Sequence, residues 1–159
     1  MSLSHLGMQE LDLPSAFSHI CEFILAAEGH GVENCRQMLL HVKCGAGEGR
    51  STFLDALSLF TKNRVELTHR HDNSFLAIVT PTASANALQR LLRLPTDPLM
   101  SHAQLRMLKY ETDKIGLIIL NEAMDVWEID AMLKAARPQA NDQPFGGISV
   151  VLLGDFQVS

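Results

Sequence analysis

The sequence predicts a three-layer α/β domain built on a mainly parallel sheet. Short apolar segments of strand length alternate with segments of helical periodicity along the chain, which is typical of βαβ units. Parallel strands require crossover connections, and right-handed crossovers place helices on both faces of the sheet. A chain of 159 residues corresponds to one domain and is long enough to bury a core.

The N-terminal part predicts a lead-in followed by a helix. Residues 1–13 show no periodic pattern, so we predict a lead-in there and a single domain over residues 14–159. From Pro14 onward, apolar residues recur at helical spacing until Gly29 and Gly31 end the pattern. The N-terminus does not have the pattern of a signal peptide, and no apolar run approaches the ~18 residues of a membrane span. We therefore expect a soluble intracellular protein.

Four strands and four further helices follow in alternation. Strands are predicted over residues 37–43, 75–80, 116–120 and 148–153, and helices over residues 50–60, 83–94, 101–110 and 127–136. Distinctive polar or glycine-rich clusters follow the strand ends, at residues 44–51, 81–82, 121–122 and 155. Because parallel α/β sheets bind ligands at the carboxyl ends of their strands, we expect these clusters to meet in one site.

Composition restricts the classes of partner and site. The net charge of −5 disfavours a wide basic face for nucleic acid. Three cysteines without CxxC spacing argue against a disulfide scaffold or a zinc site. The run HRHD at residues 69–72 has no matching ligands elsewhere, so a solvated loop is favoured over a metal site there. Trp127 is interpreted as a packing residue rather than a platform for stacking bases.

The segment CGAGEGRS, residues 44–51, lies between a predicted strand and a predicted helix. It follows the phosphate-loop pattern G-x-x-x-x-G-K-[ST] with Gly49 and Ser51 in register, whereas Cys44 replaces the first glycine and Arg50 replaces the lysine. The backbone N–H groups of such a loop, with the positive end of the next helix, can hold a phosphate. A glycine-rich turn that caps an ordinary βα unit is the alternative.

A second motif follows the predicted strand at residues 116–120. In the magnesium motif of nucleotide hydrolases, an apolar strand ends in an Asp that organises the metal, and a Glu that orients or deprotonates water comes next. Glu122 takes the second position, but Asn121 offers an uncharged amide in the first. The alternative is an acidic helix N-terminus stabilised by the helix dipole. Asp155, after the last strand, is unremarkable by itself.

These motifs, in this order, resemble those of Pif-family DNA helicases, especially the versions associated with Helitron-type mobile elements. The resemblance covers about residues 37–157 and rests on QMLLHVKCGAGEGRSTFLDAL, VTPTASANAL, LIILNEAMDV and, most specifically, PFGGISVVLLGDFQ. It implies a RecA-like P-loop NTPase domain that binds ATP with Mg²⁺. It also implies the family's activity, 5′–3′ unwinding of DNA in repair and recombination, with single-stranded DNA as a partner and a nuclear location.

The resemblance further implies roles for individual residues. Nucleotide contacts are implied for Gly45, Ala46, Gly47, Glu48, Gly49, Arg50, Ser51, Thr52, Asp155 and Gln157. Magnesium is implied at Ser51 and, through water, at Asn121. Catalytic roles are implied for Glu122, which would activate water, and for Arg50 in the place of the family's lysine.

The same resemblance limits the activity expected of this chain. The family shares its ATP site between two RecA-like domains, and residues 14–159 correspond to the first, so we expect any second domain to act in trans. Because Cys44, Arg50 and Asn121 depart from the family pattern, we expect weak nucleotide binding and negligible unwinding. The rival hypothesis is a non-enzymatic structural or interaction protein, descended from a mobile-element helicase, that binds no nucleotide.

Overall fold

A five-stranded, fully parallel sheet forms the centre of the molecule in the computed structural model, which describes residues 3–45, 47, 49–64, 75–80, 101–122 and 125–156. The strands are β1 (Gln9–Leu11), β2 (Leu39–Val42), β3 (Leu76–Val79), β4 (Leu117–Asn121) and β5 (Ser149–Leu153). Their order across the sheet is β1-β2-β5-β4-β3. Every pairing between neighbours is parallel.

Four α-helices of the described residues cover the two faces of this sheet. They are α1 (Leu13–His30), α2 (Arg50–Lys62), α3 (His102–Asp113) and α4 (Val126–Ala136). One buried cluster joins α1 and α2 to the sheet, and a second joins α3 and α4 to its other face. The predicted three-layer α/β fold with a parallel sheet is therefore confirmed. The helix predicted over residues 83–94 lies outside the described residues.

The helix starts follow from short polar side chains that cap free backbone N–H groups. Asp12 accepts from the N–H of Ser15 at 2.8 Å, and α1 has Pro14 in its first turn. Ser101 and Gln104 form a reciprocal capping box at the start of α3. Asp125 accepts from Glu128 N–H at 3.0 Å at the start of α4.

The first 13 residues differ from the predicted lead-in, because they take part in the sheet and the core. Residues Gln9–Leu11 form β1 and pair with β2, and the side chains of Leu3 and Leu6 are buried in the cluster around α3 and α4. A strand of three residues with a polar, exposed sequence carries too little alternation to be detected by its pattern.

The PFGGI segment, residues 144–148, forms a tight turn at the amino end of β5. Phe145 and Gly146 have positive φ angles of 55° and 63°, and the buried carboxylate of Asp130 accepts from the N–H of Phe145 at 2.7 Å. Arg137 Nε donates to the carbonyl of Gly146 at 3.0 Å. This segment therefore orients the entry into β5 and lies at the sheet edge opposite the glycine cluster.

Candidate functional site

The glycine cluster connects β2 to α2 at the carboxyl edge of the sheet. Gly47 and Gly49 have φ angles of 82° and 88°, which residues with a Cβ rarely adopt. Gly49 is the cap of α2, and its carbonyl accepts from Phe53 N–H at 2.9 Å. The first N–H groups of α2 therefore open toward this edge, where a helix N-terminus favours an anion. Ala46 and Glu48 lie outside the described residues.

Arg50 folds inward across the sheet edge. Only 15% of its side chain is exposed. Its Nη2 donates to the carbonyl of Cys44, and its Nη1 lies 3.8 Å from a carboxylate oxygen of Glu122. A Cβ built on Gly154 would lie 3.4 Å from Nη2, so glycine leaves the space that the guanidinium uses. One arginine thus bridges the ends of β2, β4 and β5.

Glu122 has a strained backbone at the end of β4. Its φ of 75° places a residue with a Cβ in the left-handed region, which costs free energy and is found most often at functional sites. The conformation is held by the N–H of Glu122, which donates to the carbonyl of Leu153 at 2.9 Å. Its carboxylate is half-exposed and faces Arg50. Sequence patterns carry no signal for this strain.

Asn121 adds an unsatisfied acceptor to the same edge. Its Oδ1 is buried and has no hydrogen-bond partner within the described part of the chain. Buried polar atoms are rarely left in this state because an unmade hydrogen bond costs about 1–3 kcal/mol. An unpartnered acceptor at the carboxyl edge of a parallel sheet therefore marks a position that a ligand or an ordered water can satisfy.

One cleft of about 500 Å³ brings most of these residues together. It is lined by Gly47, Gly49, Arg50, Ser51, Thr52, Leu54, Asn121 and Glu122. Ser51 and Thr52 are exposed at its surface. The phosphate-loop residues and the acidic strand end, which are far apart in sequence, therefore share a single concave surface.

Some of the predicted site residues lie elsewhere. Asp155 is exposed and does not line the cleft, and Gly45 lies beside the lining rather than in it. Gln157 lies outside the described residues, as do the predicted cluster at residues 81–82 and the run at residues 69–72. Gly154, which leaves space for the guanidinium of Arg50, was not among the predicted site residues, and its place within the motif GDF is the signal that could have found it.

A larger cleft of about 760 Å³ lies at the opposite, amino edge of the sheet. His19 and His30 of α1, together with Arg36, line it beside the first residues of β2. Neither the glycine cluster nor the Arg50–Glu122 pair reaches it, and none of the predicted site residues lines it. The smaller cleft is the better candidate because the glycine loop after β2 and the acidic end of β4 meet there.

The residues around the smaller cleft fit Mg²⁺ poorly. Mg²⁺ takes oxygen ligands in octahedral geometry and is usually held through one or two carboxylates together with waters and substrate phosphates. Glu122 supplies the carboxylate of this lining, and the guanidinium of Arg50 already faces it. At the two predicted magnesium positions, Asn121 contributes a neutral amide oxygen and Ser51 a neutral hydroxyl. Within the described ranges, no group of three or more His, Cys, Asp or Glu side chains could hold a metal ion.

The fold and the cleft together define a class, a parallel α/β domain with a glycine loop and an acidic strand end at one sheet edge. The strand that precedes the loop, β2, is separated from β4 by β5. Among the helices that the structure describes, none combines the length and apolar character needed to cross a membrane.

Comparisons with known proteins add a structural likeness. No protein-family model matches the chain, and no curated protein matches it. Among solved structures, the chain is similar to the crystal structure of a Bacteroides Pif1 bound to single-stranded DNA, with 23% sequence identity and a TM-score of 0.47. The match covers 84% of this chain and 31% of the Bacteroides chain.

Proposed function

We propose that this chain is a nucleotide-binding domain of the helicase-motor kind and that the cleft at Arg50 and Glu122 binds the phosphates of ATP. The observation that carries the proposal is the convergence of the glycine loop, the buried guanidinium and the strained acidic strand end on one cleft. Phosphate needs backbone N–H donors, a helix N-terminus and a cation, and this edge of the sheet offers all three.

Within this proposal, the loop and the start of α2 hold the phosphates. Gly47 and Gly49 give the loop its positive φ angles, the free N–H groups at the start of α2 face the phosphates, and Arg50 supplies the positive charge. Glu122 is placed to orient an attacking water, because its carboxylate lies at the mouth of the same cleft. Single-stranded DNA, a second motor domain in trans and a nuclear role in DNA repair or recombination belong to the same proposal.

Titration calorimetry with ATP tests nucleotide binding directly. Arg50→Ala removes a charged hydrogen-bond donor, which is worth about 1.5–3 kcal/mol, so ATP binding should weaken by about tenfold or more. Arg36→Ala is the matched control, since this exposed arginine lies at the amino edge of the sheet. Equal affinities for Arg50→Ala and the unmodified chain would contradict the proposal.

One observation favours the non-enzymatic alternative, a structural or interaction protein that binds no nucleotide. The guanidinium of Arg50 already has protein partners, the carbonyl of Cys44 as a hydrogen-bond acceptor and the carboxylate of Glu122 in an ion pair, and these suit a purely structural bridge. The same titration separates the two functions. No heat of ATP binding to the folded, unmodified chain, combined with a loss of stability in Arg50→Ala, would establish the structural role.

A further inference from the structure

We infer that the cleft takes its nucleotide in the metal-free form, with the guanidinium of Arg50 in the electrostatic role that Mg²⁺ has in other phosphate-loop sites. This inference rests on the proposed function and concerns the chemical form of the ligand. It follows because the side chains that line the cleft do not match the ligands that Mg²⁺ requires.

The positive charge of Arg50 lies beside the carboxylate of Glu122. Arg50 Nη1 lies 3.8 Å from the carboxylate of Glu122, and Nη2 donates to a carbonyl at the end of β2. The guanidinium therefore already pairs with the carboxylate at the acidic strand end, in the cleft that Ser51 and Asn121 also line. A Mg²⁺ ion in this partly buried cleft would be repelled strongly by the guanidinium. An arginine cannot relieve this repulsion by losing its proton.

The amide of Asn121 differs from a carboxylate in what it can bind. A carboxylate at this position would accept hydrogen bonds from metal-bound water and would repel a phosphate. An amide carries two N–H donors in addition to its oxygen, so it can donate to a phosphate oxygen. The buried Oδ1 has no partner in the described structure, which leaves the amide able to accept from or donate to a ligand after rotation.

The side chain of Arg50 is suited to bind phosphate. The side chain is 15% exposed, and its Nε is buried without a partner in the described residues. A guanidinium has five donors in a planar fork that matches two phosphate oxygens, and water screens its charge little at this depth. The arrangement thus provides a permanent cation at the place where phosphate charge would accumulate.

The test is an ATP titration of the full chain in excess EDTA and, separately, in excess Mg²⁺. A metal-free site should bind ATP at least as tightly in EDTA, because Mg²⁺ would mask the phosphate charge that Arg50 recognises. Binding that is about tenfold tighter with Mg²⁺ would overturn the inference and leave the proposed function standing. No binding under either condition would overturn the proposed function itself.

A double variant tests the same inference in the opposite direction, by introducing a dependence on Mg²⁺. Arg50→Lys combined with Asn121→Asp supplies a compact cation and a metal-organising carboxylate, so ATP binding should become Mg²⁺-dependent. Arg50→Lys alone is the matched control, since it lacks the new carboxylate and should remain independent of Mg²⁺. Circular dichroism confirms folding of both variants. If the double variant does not fold, the EDTA comparison on the unmodified chain still decides the question.

Discussion

At the scale of single residues, the interior holds a histidine that the proposed site does not use. His41, on β2, is buried, its Nε2 has no hydrogen-bond partner within the described residues, and its ring meets Phe156 edge-on at 6.2 Å between centroids. Burial lowers the pKa of His41 from its usual range, and the nearby charges of Glu10 and Asp155 offset this only in part. The folded protein therefore favours the neutral imidazole.

This residue predicts a loss of stability in acid. The unfolded chain binds a proton at His41 near its ordinary pKa of about 6.5, whereas the folded chain resists protonation. The contribution of neutral His41 to the free energy of unfolding should be complete above that pH. As the pH drops below it, the free energy of unfolding should fall by up to about 1.4 kcal/mol per pH unit. Urea unfolding at pH 7.5 and pH 5.5 measures the difference.

The control variants isolate His41 from the other histidines. His41→Leu fills the same buried position with an apolar side chain and should flatten the dependence on pH. His19→Gln changes an exposed histidine of α1 and should leave the dependence intact. If His41→Leu loses as much stability between the two pH values as the unmodified chain, another group controls the acid response.

At the scale of elements, the PFGGI turn depends on one buried carboxylate. Asp130 Oδ1 accepts from Phe145 N–H at 2.7 Å, and its Oδ2 pairs with Lys134 at 2.9 Å. Asp130→Ala leaves the backbone N–H of Phe145 buried without an acceptor, so unfolding should become easier by about 1–3 kcal/mol. Chemical denaturation measures this loss, and Asp142→Ala, an exposed change in the preceding loop, is the control.

The same variant tests the separation between turn and cleft. Because the turn enters β5 at the amino edge and Arg50 lies at the carboxyl edge, ATP affinity should be the same in folded Asp130→Ala and the unmodified chain. A large loss of affinity in this variant would mean that the turn reaches the cleft through β5.

Much of the element order could be predicted from the sequence, because buried parallel strands and amphipathic helices leave distinct periodicities. The apolar runs at β4 and β5 and the helical spacing of α1 belong to this class. The convergence of the glycine cluster and Glu122 followed from the rule that parallel strands share a carboxyl edge.

Other features could not be predicted, because no sequence pattern encodes the direction of a side chain or a strained torsion. The inward fold of Arg50 depends on the space above Gly154, and the positive φ of Glu122 depends on a hydrogen bond to Leu153. These features exist only once β5 lies between β2 and β4. The phosphate-loop pattern and Asn121 therefore indicated the candidate site and its weak metal chemistry from the sequence, whereas the pairing of Arg50 with Glu122 became visible only in three dimensions.

At the scale of the whole molecule, the sheet joins two cores that face in opposite directions. Leu57 of α2 is fully buried in the core on one face, whereas Trp127 of α4, the single tryptophan of the chain, packs against the core on the other. Successive residues of β4 and β5 point alternately into the two cores. Loss of packing on one face of the sheet should therefore also lower the stability of the other face.

Leu57→Ala tests this coupling from the face opposite the tryptophan. Truncation of a fully buried leucine removes apolar contacts and leaves a cavity, which costs about 2–5 kcal/mol. If the domain unfolds as one cooperative unit, urea midpoints from Trp127 fluorescence and from far-ultraviolet circular dichroism should shift together and stay coincident. Leu59→Ala, an exposed position on the same helix, should shift neither. A fluorescence transition that stays in place while the dichroism transition moves or splits would show that the two faces unfold separately. In that case the single domain predicted for residues 14–159 would consist of two weakly coupled layers, and the cleft, which contains residues from α2 and β4, would lie across the boundary between them.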